Sequence, residues 1–175
     1  MQTYDFTFVV GNADPHAEDF EDRFFKAGCD DATLVLMHGA VAACFNRTAE
    51  TFKDAVFSAY EDILRAGATV DRFEPDYLVS ASEIAKRARV TPQAVSLYAK
   101  GDRGDDFPKP RFRVTTPNPL WDWVEVSRWL VRRGTVAEKE YREAQLSRVI
   151  NFGSQVRQDL ATITREAERE LAQAV

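Results

Sequence analysis

Cysteine, histidine and methionine are all scarce in this chain, with two of each in 175 residues. Cys29 and Cys44 form no CxxC pair, which leaves no zinc-ribbon or dithiol spacing, and each reads as a small buried hydrophobe. His16 and His38 stand near the ends of expected elements and share no ligand spacing with the cysteines, so no metal site is expected. No apolar run reaches the roughly 18 residues that cross a bilayer, so no membrane partner is expected. The opening Met1-Gln2-Thr3-Tyr4-Asp5 lacks the basic and apolar regions of a secretory leader, which predicts a cytoplasmic location. Neither a Gly-rich phosphate loop nor a nucleophile–base pair is visible. An enzyme is therefore the least expected class, and no cofactor is expected.

What is present suffices for real cores. Apolar residues make up 45% of the chain, among them 12 Phe, 5 Tyr and 3 Trp. The length fits one or two small domains. The formal net charge of −5 is unevenly spread. Residues 1–77 hold 6 Lys and Arg against 15 Asp and Glu, residues 78–134 hold 11 against 6, and residues 135–175 hold 6 against 7. A basic middle segment thus sits between an acidic front and a nearly neutral tail.

The front, residues 1–77, reads as one acidic domain. Tyr4, Phe6, Phe8 and Val10 alternate with Asp5, Thr7 and Val9 as a half-buried strand. Asp14-Pro15 starts a helix whose Phe20, Phe24 and Ala27 share a face, closed by Gly28. Leu34 to Met37 and Val41 to Phe45 are strands around a tight His38-Gly39 turn. A second helix runs from Thr48 or Thr51 to about Ala66, with Phe52, Ala55, Val56, Ala59 and Ile63 inward, and Gly67 stops it. Ala68 to Phe73 forms a last strand. The order βαββαβ is the split, ferredoxin-like arrangement. Arg47 beside Asn46 reads as a polar strand-end residue rather than an anion site. Glu18, Asp19, Glu21 and Asp22 read as a solvated face, or, more sharply, as a docking surface for a basic protein partner.

Residues 80–100 predict two short helices joined by a tight turn, which presents the second helix to a DNA major groove. Ser82 or Ser80 caps the first, with Glu83 in its first turn where a carboxylate suits the helix dipole. Ile84, Ala85 and Ala88 face inward and Val90 plugs the turn. Arg89 stands where such turns usually carry glycine, so it must accept a positive φ or a different turn. Thr91-Pro92 starts the second helix with a hydroxyl cap and a proline at its first position. Val95 and Tyr98 turn inward. Gln93, Ser96, Leu97 and Lys100 face out, and Gln and Ser suit base edges.

A loop from Gly101 follows, carrying Arg103. Extended runs over 110–115 and 119–121 around Thr-Pro-Asn-Pro predict a small hairpin, a wing that grips the DNA backbone. Lys109, Arg111 and Arg113 alternate along its first strand on one face, with Phe112 and Val114 on the other. Asp122 then caps a helix with Trp123, Val126, Trp129 and Leu130 in an apolar stripe. Helix, helix, Phe-Pro-x-Pro wing and Trp-x-x-x-Glu-Val-x-x-Trp-Leu together resemble winged helix-turn-helix regulators of the MerR, excisionase and AlpA type, over residues 78–134 only. The pattern implies double-stranded DNA as partner. The expected contact residues are Thr91, Gln93, Ser96, Leu97, Lys100, Arg103, Lys109, Arg111 and Arg113.

The tail, residues 135–174, predicts one long helix capped by Thr135, with Glu138, Glu140 and Glu143 in its early turns. Leu146, Val149, Gly153, Val156, Leu160, Ile163 and Ala167 follow a 3-4 rhythm, a heptad seam that predicts a self-paired coiled coil and hence a homodimer, with packing back on the N-terminal domain as the alternative. The fold class read from sequence is α+β: an acidic ferredoxin-like domain (1–77), a winged helix-turn-helix domain (78–134) and a long dimerisation helix (135–175). The expected function is a dimeric, sequence-specific transcriptional regulator, nucleoid-associated and repressing its own or a neighbouring operon. An antitoxin-like interaction protein and a small-ligand-sensing regulator are the alternatives.

Overall fold

The computed structural model describes residues 1–173 and is of mixed α+β class. In chain order it holds β1 (Gln2–Gly11), α1 (Phe20–Ala27), β2 (Ala32–Met37), β3 (Ala40–Ala49), α2 (Phe52–Arg65), β4 (Thr69–Glu74), β5 (Leu78–Val79), α3 (Ala81–Ala88), α4 (Pro92–Lys100), β6 (Trp121–Asp122), α5 (Trp123–Arg132) and α6 (Glu138–Gln173). Two compact units divide the chain: Met1–Pro75 together with the chain from Val149 onward, and Asp76–Arg148. α6 is thus shared, its first turns belonging to the second unit and the rest to the first.

The first unit is built on a four-stranded antiparallel sheet in the order β2-β3-β1-β4. Alternation in β1 turns Phe6, Phe8 and Val10 to one face, where their register partners Phe45, Ala43 and Val41 of β3 point the same way. Phe6, Phe8, Phe45 and Phe73 stack and meet edge to face over this face, with Phe8 and Phe73 only 5.1 Å apart. Two helices bury their apolar stripes: Phe20, Phe24 and Ala27 in α1, and Ala55, Val56, Ala59 and Ile63 in α2. Thr51 caps α2, its hydroxyl accepting the Asp54 N–H at 3.2 Å. His38 and Gly39 join β2 to β3 with both φ angles positive, 52° and 82°, as a two-residue hairpin of this hand requires.

Three expectations for these elements need correction. α1 starts at Phe20, not at Asp14-Pro15. Asp14 instead closes a local turn, its carboxylate accepting the His16 N–H at 2.9 Å and its carbonyl the Ala17 N–H at 3.2 Å, and such side-chain bonds compete with helix. Arg47 is no strand-end surface residue: it is 8% exposed and its guanidinium reaches Asp31, Asp62, Ser58 and the Gly28 carbonyl. Thr135 does not cap the tail helix, which begins at Glu138. The Thr135 N–H donates to the Leu130 carbonyl at 2.9 Å, so this residue is spent on closing α5.

Cys29 is buried between charged neighbours, and burial, reinforced by the Asp62 charge, pushes its thiol up to about 12. It is an inert core thiol. Within the first unit α6 turns Ile150, Asn151 and Ser154 inward, while Val149, Phe152, Val156, Leu160 and Ile163 remain exposed. Residues 174 and 175, the end of the expected tail, lie outside the described residues.

Candidate nucleic-acid interface

The second unit positions α4 through three local devices. Ser80 caps α3 in a capping box: its hydroxyl accepts the Glu83 N–H at 3.3 Å while its own N–H donates to Glu83 Oε2 at 2.7 Å. Ser80, rather than Ser82, is therefore the cap. Burial pushes the Glu83 carboxyl up, but the bonds from Ser80 and the charge of Arg87 outweigh this and hold it below its ordinary value. Arg89 ends α3 in the left-handed region, φ 54° and ψ 40°, as a residue in a glycine position must. Thr91 then caps α4, accepting the Ala94 N–H at 3.1 Å, with Pro92 at the first helical position.

The core behind α4 is aromatic. Ala94, Val95 and Tyr98 are buried against Ile84, Ala85 and Ala88 of α3 and the stripe Trp123, Val126, Trp129 and Leu130 of α5. The Tyr98 ring lies 5.0 Å from Trp129 and 5.7 Å from Phe107. Asp122 caps α5, accepting the Val124 N–H at 2.8 Å, and β6 pairs with β5 through Leu78↔Asp122 and Val79↔Trp121. With the inward side filled, Gln93, Ser96, Leu97 and Lys100 stand on the exposed side of α4, and Thr91 is exposed at its start. Arg89, outside the set expected from sequence, is exposed at the turn before them.

Two indoles fasten the loop after α4. Trp129 Nε1 donates to the Asp105 carbonyl at 2.8 Å, and Trp121 Nε1 to the Pro108 carbonyl at 3.0 Å. Gly104 passes so close that a β-carbon there would lie 3.0 Å from the Trp129 ring, and its φ of 77° also favours glycine. Arg103 lays its guanidinium 5.7 Å from the centre of the Tyr98 ring, and Lys109 is exposed.

The expected hairpin is much reduced. Residues 110–115 and 119–121 form no ladder of their own; a single bridge joins Phe112 to Leu120, and Trp121 pairs instead with β5. Arg113 adopts φ 51°, and its carbonyl accepts the Thr116 N–H at 3.0 Å, so the turn begins there. This ends the alternation at Phe112, and Lys109, Arg111 and Arg113 do not line one strand face. Phe112 and Val114 are 48% and 61% exposed rather than packed beneath a sheet. Arg111 is held by Glu125 of α5, which takes both its Nε and its Nη2, and this partner raises the guanidinium pKa further. Glu125 also lies outside the set expected from sequence. Its signal was a lone carboxylate in the first turn of α5, which gives no hint of Arg111 fourteen residues away.

Among the described residues no cluster of three potential ligands could hold a metal ion, and no helix is long and apolar enough to cross a membrane. No protein-family model, curated protein or solved structure matches this chain.

Proposed function

We propose that this protein is a dimeric, sequence-specific regulator of transcription that binds double-stranded DNA through α4. The reading takes the second unit as a winged helix-turn-helix of the MerR, excisionase and AlpA type with a shortened wing, and the first as a ferredoxin-like domain. The single observation that carries it is the outward face of α4, where Gln93, Ser96, Leu97 and Lys100 are exposed on a helix otherwise locked by its cap and its aromatic core. Gln can pair bidentately with adenine, and Gln93 stands near the start of α4, where a recognition helix contacts base edges.

Charge supports the same surface. Residues 78–134 carry 11 Lys and Arg against 6 Asp and Glu, while the acidic residues 1–77 are repelled by phosphates. Dimerisation rests on α6: the seam residues Val149, Val156, Leu160 and Ile163 are uncovered in the single chain, and a second copy of the same heptad face covers them. Two copies of α4 on a two-fold axis then read an inverted repeat, which suits repression of its own or a neighbouring operon.

Selection of fragments bound by the full chain from random DNA tests the reading. The expected result is a single inverted-repeat motif bound well above scrambled sequence. Enrichment of no motif, with uniform salt-dependent binding, would leave only phosphate attraction and remove the regulator reading.

A further inference from the structure

The sheet of the first unit has two edges, and the chain finishes them differently. At β4, Asn151 of α6 completes the backbone: the Phe73 N–H donates to Asn151 Oδ1 at 2.7 Å and Asn151 Nδ2 donates to the Phe73 carbonyl at 3.0 Å. Gln158 adds a bond to the Asp71 carbonyl at 3.4 Å. Covering an edge in this way prevents another strand from adding there.

Among the described residues, the opposite edge, β2, has no such cover. The Asn46 N–H donates to the Asp31 carbonyl at 3.1 Å, which fixes the phase of the β2–β3 ladder. Residues 33, 35 and 37 then exchange bonds with β3, and the backbone N–H and C=O of Leu34 and Leu36 point away from the sheet. The strand Ala32–Met37 contains no lysine, proline or other charge that would guard it, and Leu36 and Met37 are 54% and 52% exposed. Alongside runs a groove of about 400 Å³ between α1 and β2, lined by Phe24, Phe25 and Leu34 with Glu21, Asp22 and Asp30.

We infer that β2 is the docking edge for an extended basic segment of another protein, which adds to the sheet as a further strand beside α1. Leu34 and Leu36, the register partners of Ala43 and Val41, lie on the helix side of the sheet, so alternate side chains of an added strand enter the groove. Lysine and arginine fit it best. Their aliphatic stems cover Phe25 and Leu34, and their cations reach Glu21 and Asp30, while Asp22 is shared with Lys26 at 3.3 Å. Val35 and Met37, exposed on the other face, call for apolar residues at the intervening positions. The occupant is not a second copy, because pairing two β2 edges would bring together two segments that each carry 6 Lys and Arg against 15 Asp and Glu over residues 1–77.

The inference goes beyond the DNA reading and its test contains no DNA. The probe is a short capped, fluorescently labelled peptide of alternating valine and lysine, titrated with the 175-residue chain and followed by anisotropy, with amide exchange read residue by residue. Binding should slow exchange at Leu34 and Leu36, and a peptide with glutamate for lysine should not bind. Leu36→Pro removes an outward N–H without touching the bonds to β3, and should weaken binding about three- to tenfold, the scale of one net hydrogen bond. Glu21→Lys with Asp30→Lys should weaken it at least as much, and unchanged melting temperatures confirm that both variants fold. Equal affinity for the glutamate peptide, equal affinity of the Leu36→Pro protein, or protection of amides elsewhere would each overturn the proposal. So would self-association of the full chain that Leu36→Pro abolishes.

Discussion

Arg47 meets Asp31 in a two-pronged pair, Nε to Oδ2 and Nη2 to Oδ1, both at 2.8 Å. The same guanidinium donates to Asp62 at 2.7 Å and to the Gly28 carbonyl at 2.7 Å, which ties β3 to the ends of α1 and α2. Burial acts against the charge, but the bonds to Asp31 and Asp62 outweigh it and hold the guanidinium more firmly protonated than usual.

Arg47→Met should therefore destabilise the first unit by about 3 kcal/mol, because Asp31 and Asp62 lose their shared partner in a mostly buried site. Arg47→Lys should recover little of this, since a point charge cannot span the fork. Urea unfolding checks both. A loss below about 1 kcal/mol for the methionine variant would mean that water screens the cluster.

The capping box at the start of α3 gives a pH-dependent prediction. Glu83 has a folded-state pKa below its ordinary value, so its stabilisation is complete above the ordinary carboxyl range and fades as pH falls through the depressed value. Ser80→Ala should cost about 1 kcal/mol at neutral pH. The gap in melting temperature between the variant and the parent should narrow on acidification through that range; a gap that widened would contradict the linkage.

If α4 reads DNA as proposed, base reading and phosphate grip should separate at two residues. Gln93→Ala should cost about 1–3 kcal/mol on the selected operator and much less on scrambled DNA. Glu125→Gln releases Arg111, and should strengthen binding to both DNAs alike while steepening the salt dependence by about one counterion. Titrations over a salt series distinguish the two patterns. An equal loss on both DNAs for Gln93→Ala would show that α4 is not the reading helix.

Assembly should rest on the exposed stripe of α6. Leu160 and Ile163, 58% and 61% exposed, sit on its seam, so Leu160→Asp with Ile163→Asp should convert a dimer to a monomer without lowering the stability of the single chain. Sedimentation equilibrium reads the result. A dimer that survives both substitutions would place the interface elsewhere.

Much of this arrangement was legible from residue spacing. Alternation in β1, the Gly28 and Gly67 stops, the His38-Gly39 hairpin, the Thr91-Pro92 start of α4 and the Trp123–Leu130 stripe are all local signals, and each element forms where its signal lies. The departures have two causes. The starts at Asp14 and Thr135 carried plausible cap chemistry, but neighbouring backbone groups claimed those residues first. Arg47, Glu125 and Asn151 take their roles from partners brought close by the fold, at separations no local pattern encodes. The seam on α6 was legible as a period, yet only the burial of Ile150, Asn151 and Ser154 on the other side reveals which face stays exposed in the single chain.

The bond between Phe73 and Asn151 also makes the last strand of the sheet and the tail helix a single unit of local opening. If that stretch of α6 lifts away, the Phe73 N–H and C=O exchange their Asn151 partners for water together, at a net cost of about 1 kcal/mol for each bond. The Phe73 amide is accordingly a reporter on the tail: its exchange with solvent proceeds only as fast as α6 lets go, so one backbone proton measures how firmly the helix is seated.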